Sequence, residues 1–192
     1  MTTASAWTEV QLAVGGALRL AVGDRRGLGY FDASIDGFWR SFRAAAICYP
    51  LYLFLVSVRV PHAQWEISGV APIVIVETIA YVISWAGFPL LILPVGCHLG
   101  RAGRFLPFMV VYNWSQIPQT VVFVLVGLDT ATGLLPPSGA HFAGLLAAIA
   151  ALAYEWYIAR VALAVTGTQA TLVIIIDLLL STIVGRIAQS LY

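Results

Sequence analysis

Five apolar runs of roughly twenty residues or more, the length a helix needs to cross the hydrocarbon of a bilayer, recur at 38–60, 69–95, 105–128, 139–165 and 170–191 with short polar connectors between them. A soluble fold would have no place to hide so much apolar surface. Charged residues make up only 10% of the chain, against about 25% in ordinary soluble domains, and the mean hydropathy is +0.91. The expected fold is therefore all-α: an integral membrane bundle of five transmembrane helices, residues 38–192, preceded by an N-terminal segment, residues 1–37.

That segment holds an amphipathic pattern over 6–22. Trp7, Val10, Val14, Leu18 and Ala21 recur at helical spacing, with Thr8, Glu9, Gly16 and Arg19 opposite. It is too polar to span and is expected to lie in the membrane interface, anchored by Trp7. Its basic n-region is absent and its apolar residues are interrupted, so it does not read as a signal peptide. Ser34 is the expected N-cap of the first span, with Asp36 in the first turn, where a negative charge suits the helix dipole. Arg40 and Arg43 should snorkel to the headgroups. The stretch 61–68 reads as a polar loop, and 129–138, with Pro136-Pro137, as a turn-rich one.

Orientation follows from the basic residues, all of them arginine. Arg19, Arg25, Arg26, Arg40, Arg43, Arg101 and Arg104 fall at one end of the predicted bundle, and only Arg59 and Arg186 at the other. Basic residues concentrate on the cytoplasmic side. The N-terminus is expected in the cytoplasm and the C-terminus outside, in a bacterial inner membrane.

Polar groups inside the spans are expensive and mark either helix contacts or a functional path. The last two spans, joined by a turn placed near Thr166-Gly167-Thr168-Gln169, carry Glu155, Arg160 and Asp177. The third span carries Asn113 and Gln116. Depth arithmetic at 1.5 Å per residue puts these in one layer in the cytoplasmic half. Reflection about the turn predicts an Arg160–Asp177 ion pair, with Arg160 also stacked on Trp156 and Glu155 on another face. Glu77 stands apart, toward the other side, as a carboxyl without a visible partner. Glu77, Asn113, Gln116, Glu155, Arg160 and Asp177 are the candidate intramembrane polar site.

Small residues at fourfold spacing on the fourth span, Ala140-Gly144-Ala148 and Ala143-Ala147-Ala151, allow close backbone approach and make that span the expected bundle centre or a dimer face. Trp39, Trp65, Trp85, Trp114, Tyr49, Tyr81 and Tyr192 read as interface anchors or packing groups. Cys48 and Cys97 fall at different depths and read as packing residues. Nothing points to catalysis. His62, His98 and His141 lack metal-ligand spacing, and no nucleophile elbow or phosphate loop is present. Neither a cofactor nor a metal is expected. A net charge of +1 gives no basic patch for nucleic acid.

With Tyr112-Asn113-Trp114-Ser115-Gln116-Ile117-Pro118 on the third span, an N-terminal cytoplasmic segment and five spans, the stretch 29–192 resembles bacterial members of the Yip1-like membrane family. The family's Asp-Leu-Tyr-Gly-Pro signature has no counterpart here, and the resemblance carries over no functional residue. The expected function is non-enzymatic: a scaffold or subunit of a membrane assembly, with lipid, further copies or other membrane subunits as partners. The alternative is a small transporter or channel using the buried polar residues.

Overall fold

The computed structural model describes residues 6–192, so residues 1–5 of the predicted N-terminal segment lie outside the described residues. The described residues form eight α-helices and two short 3-10 turns: α1 Ala6–Ala21, α2 Ile35–Ser41, α3 Arg43–Arg59, α4 His62–Ser68, α5 Val70–His98, α6 Phe105–Thr132, α7 Pro137–Ala162 and α8 Gly167–Gln189. Five helical segments are long and apolar enough to cross a membrane: Ile35–Arg59, Val70–His98, Ala102–Thr132, Pro137–Ala162 and Gly167–Gln189. Because they alternate in direction, α1, α2, the α5–α6 connection and the α7–α8 turn share one end, the arginine-rich one. Helix α4 and the last residues share the opposite end.

Local chemistry accounts for the boundaries. The Ser34 hydroxyl accepts the Gly37 N–H at 3.0 Å, the expected N-cap of α2. The α2–α3 segment bends at Phe42, and α3 then continues through Pro50. Thr166 and Gln169 form a capping box at the start of α8. Gly133, at φ +67°, closes α6 in the left-handed conformation.

Helix α6, not α7, is the centre. From Phe108 through Ser115 every residue of α6 is buried, because α1, α2 and α3 cover one side and α7 another. The alanine and glycine lines of α7 let it approach α6, but most of its surface faces outward: Phe142, Leu145, Leu146 and Ile149 are exposed. Helices α5 and α8 likewise expose Ile75, Ile79, Val82, Leu90, Leu172, Ile175, Leu179 and Ile183. A helix apolar on its outer face as well as its inner one is matched to an apolar solvent.

Three features were not expected from the sequence, and each has a physical cause. First, α1 docks on the bundle. Ala13, Gly16, Ala17 and Leu20 are buried against it, while Trp7, Leu18 and Ala21 remain exposed. The docked face is built from small residues. A Cβ on Gly16 would lie 2.9 Å from the Gly27 carbonyl oxygen, and one on Gly27 2.6 Å from the Gly16 oxygen. That face lies beside the predicted stripe of larger apolar residues, and its small residues fit it for close approach. Second, Arg40 and Arg43 do not reach away from the protein. Docking of α1 brings Glu9 to them, at 3.0 Å from each, and Arg40 also pairs with Asp32. Third, 61–68 is helical rather than a loop. Pro61 starts α4, Gly69 at φ +79° ends it, and the Trp65 indole donates to the Val60 carbonyl at 3.1 Å. Cys48 is buried as expected, whereas Cys97 is exposed. Trp114 is core, and Trp39 is exposed.

Candidate functional site

Four helices each contribute one line of side chains to a cavity of about 380 Å³ within the bundle. On α6 the line is Tyr112, Asn113, Gln116, Gln119, Thr120 and Phe123, residues that recur every three or four positions and so share a face. On α7 it is Ala148, Ala151 and Glu155, on α8 Asp177 and Ser181, and on α5 Ser84, Trp85 and Phe88. The small residues of α7 thus make room here as well as close packing.

Glu155 is buried, at 8% exposure. Its carboxylate accepts from Gln116 Nε2 at a long 3.4 Å. Asp177, half-buried, shares a hydrogen bond with Glu155 and accepts another from the Tyr112 hydroxyl, and Gln119 also bonds Glu155. No arginine or histidine lies on the cavity wall. Tyr112 also packs on Phe88, ring centroids 4.3 Å apart and planes tilted by 30°. Asn113 turns its amide away from the carboxylates and donates to the buried Ser41 hydroxyl at 2.8 Å, tying α6 to α2.

The predicted Arg160–Asp177 pair does not form. Arg160 stacks over Trp156 at 5.4 Å, the expected cation–π contact, and its guanidinium covers Gly167, where a Cβ would meet it at 3.2 Å. The cause is the position of the turn. Helix α7 ends at Ala162 and α8 already begins at Gly167, so the chain reverses about three residues earlier than Gly167 and the pairing shifts by most of a helical turn. Arg160 is left about 3 Å from the end of α7, while Asp177 lies about 15 Å into α8, close to the depth of Glu155.

Glu77 is not without partners. It is 1% exposed, and Arg59 Nη2 bonds its Oε1 at 2.7 Å. The Tyr52 and Tyr192 hydroxyls donate to it as well. Tyr52 and Arg59 are seven apart on α3 and present one face to α5. Tyr192 arrives from beyond α8 at the same end of the bundle.

These two polar centres are joined by adjoining space. A second cavity, about 300 Å³, is lined by Tyr52, Arg59, Tyr81 and Gly185, and shares Ser84, Trp85, Gln116, Thr120, Phe123 and Ser181 with the first. A third, about 210 Å³, at Gln64, Gln189 and Tyr192, shares Arg59 with the second. The row runs from Glu155 and Asp177 to the end of the bundle opposite the α7–α8 turn. Of the six predicted residues, Asn113, Gln116, Glu155 and Asp177 meet at one cavity. Glu77 lies at the other centre and Arg160 outside both. Tyr52, Arg59, Tyr112, Gln119 and Tyr192 were not predicted, although Tyr112 and Gln119 share the helical stripe of Gln116, a signal that periodicity carries. Comparison with protein-family models, with curated proteins and with solved structures finds no match to this chain.

Proposed function

We propose that this protein spans a bacterial inner membrane five times, with its arginine-rich end and N-terminus in the cytoplasm, and that it carries a small polar solute through the bundle. The observation supporting this reading is the row of adjoining cavities linking Glu155 and Asp177 to Arg59, the ion-pair partner of Glu77. Intramembrane carboxyl groups that face a cavity mark solute or proton pathways. A scaffold held together by an Arg160–Asp177 staple would need a contact that is absent here. Helix α1 then lies across the cytoplasmic face of α6, its exposed Trp7, Leu12 and Leu18 dipping into the interface.

Thiol accessibility tests the path. In a chain with Cys48 and Cys97 replaced by alanine and serine, Ser181→Cys sits where the first two cavities adjoin. In sealed vesicles it should react with a membrane-impermeant, charged methanethiosulfonate, while Leu179→Cys, exposed on the outward face of α8, should not. Failure of Ser181→Cys to react from either side would sink the transport reading. A reporter fused after Tyr192 should be active only outside; cytoplasmic activity would reverse the orientation.

A further inference from the structure

We infer that the cavity at Glu155 and Asp177 binds a monovalent organic cation, of the ammonium class, between the two carboxyl groups and an aromatic wall. The inference rests on the transport reading and names its substrate class.

Charge comes first. Two carboxyl groups face one space, one from α7 and one from α8. The groups packed around them are Tyr112, Asn113, Gln116 and Gln119 from α6 and Ser84, Trp85 and Phe88 from α5. None supplies a positive charge. The two arginines nearest in the fold are engaged elsewhere: Arg160 on Trp156 and the turn, and Arg59 on Glu77. The carboxyls are hydrogen-bonded to each other and to Tyr112, Gln116 and Gln119, partners that are all neutral; a bound cation would supply the counter-charge the side chains do not.

The walls decide which cation. Trp85, Phe88, Tyr112 and Phe123 bring four aromatic rings to the same space. Ring faces attract cations with diffuse charge. A small divalent metal would need about six oxygen ligands at close range, whereas most of this lining is carbon. The volume, about 380 Å³, lies in the range of cavities that enclose small organic molecules, roughly 300–1,000 Å³. It exceeds what a proton alone requires.

Titration calorimetry on the full chain in nanodiscs tests this, with benzyltrimethylammonium as probe and benzyl alcohol and benzenesulfonate as its neutral and anionic counterparts. The ammonium should bind and the other two should not. Asp177→Asn and Glu155→Gln should each weaken it about a hundredfold, the scale of losing a unit charge a few ångströms away in a partly wet site. Arg160→Gln should leave binding unchanged. Should the carboxyl variants fail to fold, benzyltrimethylammonium should still slow modification of Ser181→Cys, and benzyl alcohol should not. Equal binding of the neutral probe, or no binding with Ser181→Cys reactive, would overturn the cation assignment and leave the path standing. An unreactive Ser181→Cys with no binding would remove both.

Discussion

Replacing Arg59 by methionine isolates the energetics of the Glu77 centre. Methionine keeps an unbranched apolar stem and deletes only the guanidinium. Glu77, 1% exposed, then loses the donor at 2.7 Å and keeps the Tyr52 and Tyr192 hydroxyls. A unit-charge pair about 4 Å apart at an effective dielectric of 20 is worth about 4 kcal/mol. The Arg59 side chain is 46% exposed, so solvent screening removes roughly half of that, leaving about 2 kcal/mol. A shift of roughly 2–4 °C per kcal/mol for a chain of this size gives an expected fall in detergent melting temperature of about 4–8 °C. The double variant Arg59→Met with Glu77→Leu removes the orphaned charge and should recover most of the loss, because an apolar replacement of a buried pair is often neutral. A single variant that melts within about 1 °C of the parent, on a scale where 2 kcal/mol should be plain, would refute the reasoning. So would a double variant less stable than the single.

Two further perturbations test the arginine-rich end. Gly27→Ala places a methyl 2.6 Å from the Gly16 carbonyl oxygen, a backbone atom that cannot move aside. It should cost about 1–3 kcal/mol and speed proteolysis within residues 6–34, while Gly29→Ala, with open space around it, should do neither. Asp32 accepts from the Ser34 backbone N–H at 3.0 Å. Hydrogen bonds from Ser34, with Arg40 adding its charge, hold the Asp32 carboxyl below its ordinary value of 3.8. The folded state therefore binds this proton less readily than the unfolded one. The stabilisation is present above the unfolded pKa, about 4, and is lost as pH falls through that value toward the lower folded one. Melting temperature measured from pH 6 down to pH 3 should drop more for the parent than for Asp32→Asn; parallel curves would remove Asp32 from the account.

The five long helices were legible because their cause is local. An apolar run of sufficient length has one economical structure in lipid, with every backbone polar group paired inside the helix. The cap at Ser34 is local too. What the sequence concealed depends on contacts between distant segments. The docking of α1 rests on Ala13 packing with Ala44, Val110 and Trp114 and on the Tyr154 hydroxyl donating to the Ala17 carbonyl at 2.6 Å, and neither alanine announces a partner. Glu9 becomes the counter-ion of Arg40 and Arg43 only once α1 has docked. Counting residues along the helices grouped Asn113, Gln116, Glu155 and Asp177 correctly but wrongly put Arg160 among them. The pairing was wrong because pairing depends on where the chain turns. Ala164, with φ 55°, turns the chain within 163–166, and a few residues were enough to exchange Arg160 for Glu155 as the group opposite Asp177.

The same chain buries carboxyl groups at two places and treats them differently. At Glu77 it supplies an arginine and two tyrosine hydroxyls, drawn from α3 and from the residues after α8. That is how a fold settles a buried charge when stability alone is at stake, with partners that converge on it. At Glu155 and Asp177 a cation was equally within reach, since Arg160 lies only five residues from Glu155 on the same helix. Five residues is roughly 140° around the helix axis, and Arg160 is held on Trp156 instead. The two carboxyls bond to each other and to neutral neighbours, Tyr112, Gln116 and Gln119, with no cationic side chain on the cavity wall. A site arranged for stability would close that space or pair those charges. A cavity that carries two carboxyl groups and aromatic rings but no cationic side chain is what the proposed ammonium site requires.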